Sequence, residues 1–492
     1  MFSSEQDKIK HCRLSVLNRR YRKQLLAAIT VQFIAFVHGI AVGWTSPTLR
    51  HLQSDNSPTN FVVSVEQVSW IGSLFGLGSL TGNIVFGFLL NRIGRKWCMY
   101  LIVMPNMTAW ILIFFSKSYI YLYVARFLTG TTGGGMFVVV PIFISEISDA
   151  SIHGALSSMA MLFLSFGIML GFIFSSHLDY YLNPCLIIIF PIIYLVAVTQ
   201  FPETPQYLLR KQQIDKAREA FKFYKNIKKL ENIEATSDEQ QQLNANAEFE
   251  QLEHNLISIN SKSEKLTLQD FVNCNSLKAF FTAFMLMALN QLSGSFAFLN
   301  YMSEIFAQAG TVMHPNTCTI IMGVAQITGT FISVILVDHY GRKLLMLVSS
   351  SGMAVGLIGF GLYIQYTSVE LKLSFSWLPL VIMTFIILIA SVGVTCLVFT
   401  IIVETLPTKI RAPATTICMA SMSSMVFVSL KIFPILLKSY GLATVLYCCG
   451  SVCILGWFYL LQFLMETKGK SMHNIKMELN RQRKSDNDAA VR

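Results

Sequence analysis

Polar side chains gather in the stretch Asn290–Tyr301, NQLSGSFAFLNY, inside a long apolar run. Two amides, Asn290 and Gln291, precede two serines and a glycine, where a membrane helix would normally carry hydrocarbon. Amides and hydroxyls inside a membrane either join helices or bind a polar solute. Phe296 follows them, and Asn300 lies four residues further on, on nearly the same helix face. The polar groups of this stretch therefore either contact a polar solute or bond between helices.

The composition shows what kind of element carries this stretch. The 492 residues are 53% hydrophobic and 13% charged, with a mean hydropathy of +0.54, whereas an ordinary soluble domain is about 25% charged. Apolar runs of roughly 20 residues, enough to cross a hydrocarbon core of about 30 Å, recur along the chain. We predict an all-α membrane protein with twelve spans, near 25–46, 65–90, 97–116, 119–141, 154–177, 183–201, 279–301, 314–337, 344–366, 376–402, 412–437 and 440–464.

Lys and Arg in the short loops predict the orientation. The basic N-terminal arm, the NRIGRK and GRK turns and the basic tail fall on one side of the predicted spans, and few cations fall on the other. Both termini are therefore predicted to be cytoplasmic, and we expect the plasma membrane. The net charge of +11 reflects this bias, so no nucleic-acid partner is expected.

Motifs occur twice along the chain and divide it. NRIGRK is echoed by DHYGRK, ISEIS by IVETLP, and PETPQ by METKG. Two six-helix halves with a substrate site between them explain such repeats, and a polar middle, predicted to form amphipathic helices, joins them. We expect the end regions to be disordered. The predicted division is a cytoplasmic arm, an N-terminal half, an intracellular helical domain, a C-terminal half and a tail, at 1–24, 25–202, 203–278, 279–464 and 465–492.

A series of short motifs, taken in order, resembles that of the sugar porters of the major facilitator superfamily. The motifs are GWTSP, NRIGRK, ARFLTGTTGGG, ISEIS, PETPQYLL, QLSG, DHYGRK, VETLPTKIRA and ETKG. Within that family, GWTSP is most similar to the facilitated trehalose transporters of insects. The resemblance covers residues from about 20 to 475. It implies the major facilitator fold, an intracellular helical domain and transport by alternating access.

The resemblance also implies a cytoplasmic latch. Arg95 would pair with Glu146, and Arg342 with Glu404, in geometrically specific arginine–carboxylate contacts that form in one transport state and break in the other. Plain topogenic charge is the alternative. Sugar porters usually carry a second arginine seven residues after the first glutamate, where this chain has His153, while the second repeat keeps Arg411. We therefore expect the first latch to be weaker or sensitive to pH.

The binding helices of sugar porters match this chain only in part. Their seventh helix reads QQLSGxN, so Asn290 and Phe296 are departures from the pattern, and Asn300 is a partial substitute for the lost amide. The remaining substrate-binding candidates by this resemblance are Gln291, Gln326, Met161 and Phe399. Helix ten also lacks the family's prolines, which puts its flexibility in doubt. The pocket is predicted to be a sugar site made more apolar.

Proton-driven relatives carry an aspartate in the first helix, where this chain has Thr45. We therefore expect facilitated diffusion rather than proton symport. His38 is the ionisable residue of that helix, and both a proton-related role and a neutral packing role are open. Arg126 and the glycines that follow it are interpreted as architecture.

The sequence shows no nucleotide-binding loop, metal cluster or nucleophile constellation, which argues against an enzyme, a cofactor or a metal. We expect a monomeric carrier in the lipid bilayer that moves a sugar such as trehalose or a hexose as a uniporter. Two alternatives remain: a carrier of a less polar solute, and a transporter-like sensor or scaffold that does not transport.

Overall fold

The structure is a computed structural model. It describes residues 21–466 except 56, 60, 150, 228–246, 255–269, 272, 312, 369, 371–373, 407–409 and 465. The end regions that we expect to be disordered thus lie almost wholly outside the described residues. So does most of the middle of the predicted intracellular domain.

The N-terminal half, as far as it is described, is a bundle of long helices. Its helices are α1 (Arg22–Gly43), α2 (Thr45–Gln53), α3 (Val65–Ile93), α4 (Arg95–Phe114), α5 (Tyr119–Ile147), α6 (His153–His177), α7 (Leu182–Ile187) and α8 (Ile189–Thr199). Span 1 is α1 with α2, and span 6 is α7 with α8. A capping box of Ser64 and Gln67 starts α3, and Gly94, with φ +98°, separates α3 from α4.

The C-terminal half repeats this arrangement. Its helices are α11 (Cys274–Leu292), α12 (Ser295–Ala309), α13 (Pro315–Tyr340), α14 (Arg342–Tyr366), α15 (Leu378–Val392), α16 (Leu397–Thr405) and α17 (Arg411–Phe463). Span 7 is α11 with α12, and span 10 is α15 with α16. Gly341, at φ +84°, separates α13 from α14, as Gly94 does in the first half.

Eleven helical segments among the described residues are long and apolar enough to cross a membrane. The last, Pro413–Phe463, is bent at Gly441, whose φ is +78°, and so contains two spans. The described spans thus number twelve, as the hydropathy pattern predicts.

Between the halves, α9 (Pro205–Arg210) and α10 (Ile214–Tyr224) form a short helical layer. The sequence predicts one amphipathic helix here, but Gln212, at φ +60°, divides it in two. Leu208, Ala217 and Ala220 pack with Phe249 in a small core of their own. The helical residues 247–254 belong to the second helix predicted for this region.

The most extensive packing between the halves lies along three helix pairs: α3 packs on α17, α6 on α13, and α2 on α12. Side chains bond across these seams: Asn83 Nδ2 donates to Ser423 Oγ at 2.8 Å, and Ser165 Oγ lies 3.2 Å from Thr330 Oγ1. The substrate-site candidates lie near these seams.

Candidate functional site

Span 7 is interrupted at the polar stretch that the sequence singles out. Gly294, at φ +82°, separates α11 from α12, and a Cβ there would lie 2.7 Å from the ring of Phe298. Only glycine adopts this conformation readily. Asn290 and Gln291, at the end of α11, are 5% and 1% exposed. The interruption thus places both amides at a buried helix end.

The two amides bond to each other and to span 10. Gln291 Nε2 donates to Asn290 Oδ1 at 2.7 Å, and Asn290 Nδ2 donates to the carbonyl of Val394 at 2.6 Å. Gln291 Oε1 is buried without a hydrogen-bonding partner among the described residues. Buried polar atoms are nearly always partnered in folded proteins. This oxygen is therefore free to accept a bond from a solute hydroxyl.

Span 10 is interrupted next to these amides although it lacks the family's prolines. Its helix stops at Val392 and resumes at Leu397. The backbone N–H of Val394 donates to Ser349 Oγ at 3.1 Å, and its carbonyl accepts from Asn290. Backbone groups freed inside a membrane need such partners. The absence of prolines put the flexibility of span 10 in doubt, but side chains from neighbouring spans stabilise a break there without them.

A chain of polar contacts leads from span 10 to the two other predicted site residues. Cys396 Sγ lies 3.7 Å from Thr330 Oγ1, which donates to the carbonyl of Gln326 at 2.8 Å. Ser165, bonded to the same threonine, donates to the carbonyl of Met161 at 2.9 Å. Gln326 is 8% exposed, and its Oε1 is buried without a partner in the part of the chain that the structure describes. Thr330, Ser165 and Cys396 thus join spans 5, 8 and 10, while Asn290 joins span 7 to span 10.

Two aromatic pairs join the halves at different depths of the bundle. Phe75 and Phe296 lie 5.7 Å apart between ring centroids, and Phe137 and Phe399 stack at 4.9 Å with an interplanar angle of 5°. Arg126 lies over the Phe75 ring and so marks the depth of the first pair. Phe137 lies eleven residues further along α5, which is about 16 Å at 1.5 Å per residue. Phe296 and Phe399 thus contribute to two apolar contacts, one towards each end of the seam.

Arg126 is a buried cation that contacts both halves. It is 1% exposed, and its guanidinium donates to the carbonyls of Ile71 at 3.2 Å and Ala41 at 3.1 Å. Its Nη2 donates to Asn300 Oδ1 at 3.2 Å, while Asn300 Nδ2 donates to the carbonyl of Phe296 at 2.9 Å. Asn300 Oδ1 thus joins the halves through Arg126, and its Nδ2 bonds within its own helix.

Sequence reasoning missed this role of Arg126 by treating the residue as architecture. An arginine inside an apolar span is itself a signal of function, and that signal was available in the sequence.

The two candidates of span 1 lie beside this arginine. His38 is 3% exposed, stacks on Phe75 at 5.3 Å, and has a buried Nδ1 without a partner among the described residues. Thr45 Oγ1 donates to the carbonyl of Ala41 at 3.2 Å, and the same carbonyl accepts from Arg126. Thr45 is thus close to the arginine without offering it a charge.

The predicted latch residues contact each other within each half. Arg95 Nη2 lies 2.5 Å from Glu146 Oε1, and these side chains are 2% and 5% exposed. Arg342 Nη2 lies 3.2 Å from Glu404 Oε1, and those side chains are 19% and 25% exposed. The first pair is the shorter and the more buried of the two.

His153 replaces an arginine without replacing its charge. Its Nδ1 lies 2.9 Å from Ser148 Oγ. Burial lowers the pKa of the His153 imidazole, so the ring becomes protonated only at a lower pH than an exposed histidine does. Arg411, its counterpart in the second repeat, begins α17, but its side chain lies outside what the structure describes.

Two further carboxylates, which the sequence analysis used only as repeat markers, belong to the same network. Glu203 accepts the backbone N–H groups of Arg95 at 3.2 Å and Lys96 at 3.0 Å, at the start of α4. Glu466 accepts those of Arg342 and Lys343, both at 3.0 Å, at the start of α14. Carboxylates at helix N-termini satisfy free N–H groups and the helix dipole.

Burial raises the pKa of the Glu203 carboxyl, and its backbone hydrogen bonds partly offset this effect.

The helical layer below the bundle is tied to the same end. Lys225 Nζ lies 2.6 Å from Asp149 Oδ1 and 2.5 Å from Glu248 Oε2. Gln24 Oε1, at the start of span 1, accepts the backbone N–H of Asp149 at 3.0 Å. These contacts link α10 and residues 247–254 to the ends of spans 1 and 4.

Comparison with known proteins places this arrangement in a family. The profile of the family described as Sugar (and other) transporter matches residues 27–479. The chain belongs to this family. Its members are transporters rather than enzymes, so the chain is a multi-pass membrane protein with a sugar-type solute as the expected partner.

Two of its relatives are insect proteins. The Facilitated trehalose transporter Tret1 of Polypedilum vanderplanki is 28% identical over 461 residues, covering 93% of this chain and 88% of the relative. The protein of the same name from Culex quinquefasciatus is 28% identical over 462 residues, covering 93% and 86%.

Solved structures share the fold. The proton:xylose symporter XylE bound to 6-bromo-6-deoxy-D-glucose superposes with a TM-score of 0.72 at 18% identity, covering 94% of this chain and 100% of that one. The inward open conformation of XylE from E. coli gives 0.71 at 19% identity, covering 92% and 98%. Twelve helices in the major facilitator arrangement are therefore the fold of this chain.

Proposed function

We propose that this protein is a facilitative uniporter of a sugar, trehalose or a hexose, and that it works by alternating access. The observation that supports this most directly is that the buried oxygens Gln291 Oε1 and Gln326 Oε1 have no hydrogen-bonding partner among the described residues. Solute hydroxyls are donors that such oxygens lack. The names of the insect relatives point to the same substrate class.

Uniport is favoured by the surroundings of Arg126. Its hydrogen bonds go to two backbone carbonyls and to the Asn300 amide, all of them neutral. A proton-coupled carrier needs an acid that titrates during the cycle. At the position where proton-driven relatives carry an aspartate, Thr45 supplies a hydroxyl bonded to the backbone.

A second candidate is a carrier of a less polar solute. Phe296 and Phe399 form the cross-half aromatic contacts, and Met161 belongs to the same site. These side chains offer apolar area in place of the amides that bind sugar hydroxyls in sugar porters. A solute with fewer hydroxyls would lose less binding free energy in this pocket, because fewer of its hydroxyls would be left without a partner.

We further propose that residues 25–202 and 279–464 are the moving halves, and that residues 203–278 form an intracellular helical domain. The Arg95–Glu146 and Arg342–Glu404 pairs would form and break with the transport state, with Arg411 and His153 as unequal neighbours. Both termini would be cytoplasmic, in a monomer of the plasma membrane. The basic loops at the end of the bundle that carries these pairs support this orientation.

Uptake of labelled trehalose and glucose by cells expressing the protein tests the function. We expect saturable uptake that is the same at about pH 5.5 and about pH 7.5, because the hydrogen-bonding partners of Arg126 among the described residues include no titrating acid. Surface protein is quantified in parallel. Absence of sugar uptake with the protein at the surface would favour the less polar solute, and uptake several-fold higher at acid pH would contradict uniport.

Gln291→Ala is expected to raise the KM for sugar about 2- to 10-fold, because one hydrogen bond contributes about 0.5–1.5 kcal/mol. Gln308→Ala is the matched control, since Gln308 is exposed in the same span and bonds to Glu304. Labelled-sugar uptake normalised to surface protein measures both variants. Equal KM values for the two would remove Gln291 from the site.

Phe296→Asn is expected to lower the KM for sugar several-fold, because the new amide adds a hydrogen-bonding group to span 7 where sugar porters carry an asparagine. Phe296→Leu is the control, since it removes the ring, and with it the contact to Phe75, without adding a polar group. If both variants change uptake equally, Phe296 acts through packing alone. If neither changes uptake, Phe296 lies outside the path of the solute.

A further inference from the structure

A cavity of about 1080 Å³ opens at the end of the bundle opposite to Arg95 and Arg342. Both halves line it. Pro47 and Arg50 of α2 and residues 175–182 come from the N-terminal half, while His314 and Asn316, at the start of α13, come from the C-terminal half. We call it the outer vestibule. In the proposed orientation it faces the extracellular medium, and it shares no lining residue with the candidate substrate site.

The vestibule lies beside a cross-half hydrogen-bond network. The backbone N–H of Ser303 donates to Ser46 Oγ at 2.8 Å, and Ser303 Oγ donates to Asn316 Oδ1 at 3.1 Å. Ser176 Oγ donates to the carbonyl of Asn316 at 3.4 Å. Ser46 and Ser176 belong to the first half, and Ser303 and Asn316 to the second. The Ser46–Ser303 and Ser176–Asn316 contacts cross between the halves, so they must separate for the outer side to open.

The lining combines donors, acceptors and aromatic surface. Arg50 is a cationic donor, and its Nη1 is buried without a partner among the described residues. Asp179, exposed in the same cavity, is an anionic acceptor. Tyr181 is 43% exposed and packs edge-on against Phe114, with ring centroids 6.4 Å apart. A donor, an acceptor and an aromatic face together suit a ligand whose hydroxyls both donate and accept.

We propose that the outer vestibule is a second binding site, for a neutral polyhydroxylated solute such as a sugar or polyol. Its ligand hydrogen-bonds to Arg50 and Asp179 of the first half and contacts Asn316 of the second. A ligand that touches both halves binds the outer-closed state better than the open one, and so shifts the equilibrium towards closure. External sugar at high concentration would then slow uptake through a site that does not transport.

Cys185 provides a probe that does not depend on transport. It is an exposed free cysteine that lines the vestibule. A membrane-impermeant maleimide, added to intact cells, should label it, and Cys185→Ser measures the background from other cysteines. With trehalose at about ten times its Kd, labelling should slow about tenfold, because only the empty fraction reacts. Failure of the outside reagent to label Cys185 would overturn the proposal.

Two charge-removing variants identify the class of ligand. For a neutral polyol, Arg50→Gln and Asp179→Asn should each raise the Kd about tenfold or more, because each loses a hydrogen bond to a charged group. An anionic ligand would weaken with the first variant and tighten with the second, and a cationic ligand would do the reverse. If trehalose protects Cys185 from labelling equally in both variants and in the unchanged protein, the proposal is overturned. Protection by glucuronate but not by trehalose also overturns it.

This labelling result is independent of sugar uptake, so a failure of the proposed transport function and a failure of the vestibule site are distinguishable.

Discussion

Glu146→Gln is expected to destabilise the protein by about 3–5 kcal/mol, because it leaves the Arg95 guanidinium buried without its carboxylate. Arg95 is 2% exposed and Glu146 5%, with 2.5 Å between the bonded atoms. Glu146 Oε2 also accepts a bond from Thr204 Oγ1 at 2.6 Å. The substitution thus weakens two contacts at once, at the end of the bundle where α4, α5 and the segment after span 6 meet.

Glu404→Gln is the matched variant of the second half, and we expect a cost of about 1 kcal/mol. Its pair with Arg342 is 3.2 Å long, with side chains 19% and 25% exposed, so water screens the charge that remains. The apparent Tm of the purified proteins measures both effects. Equal losses in the two variants would contradict the ranking by burial.

A double variant separates the ion pair from its surroundings. Arg95→Gln with Glu146→Gln removes both charges, so we expect it to recover most of the stability that Glu146→Gln loses. No recovery in the apparent Tm would mean that the Thr204 contact, rather than the uncompensated charge, dominates the loss.

The spans and their division into halves could be predicted from sequence because the membrane imposes them. Apolar runs of about 20 residues must form helices there. Glycine marks the breaks that the structure contains, as at Gly294 and Gly341. Local sequence also indicated which residues of span 7 are polar and face the bundle. The sequence did not predict the break in span 10, because the side chains that bond to its free backbone groups, Asn290 and Ser349, are distant from it in sequence.

The contacts between the halves could not be predicted from one sequence. Phe137 and Phe399 meet only because α5 and α16 are neighbours, and neither residue carries a local signal of stacking. Helix spacing places Asn300 on the face that predicts a substitute ligand, but it does not indicate the partner that the structure shows. Asn300 Oδ1 accepts a hydrogen bond from Arg126 of the other half. Helical periodicity indicates a face, but which partner occupies that face depends on tertiary packing.

Thr45→Asp is expected to slow sugar uptake about tenfold, because a carboxylate at position 45 would compete with Asn300 for Arg126. Thr45 Oγ1 and Arg126 Nη1 both donate to the carbonyl of Ala41, so the new carboxylate would lie beside the guanidinium. The cross-half bond from Arg126 to Asn300 is then weakened.

A neighbouring guanidinium favours the ionised form of a carboxyl, so the slowing should be the same at about pH 5.5 and about pH 7.5. Thr45→Asn is the control, because it has the same shape without an ionisable group, and its uptake should stay close to that of the unchanged protein. Labelled-sugar uptake at both pH values, normalised to surface protein, measures the two variants. Equal uptake by both variants would mean that the carboxylate does not reach Arg126. Faster uptake with Thr45→Asp than with Thr45→Asn would mean that the Arg126–Asn300 bond opposes the step that limits transport.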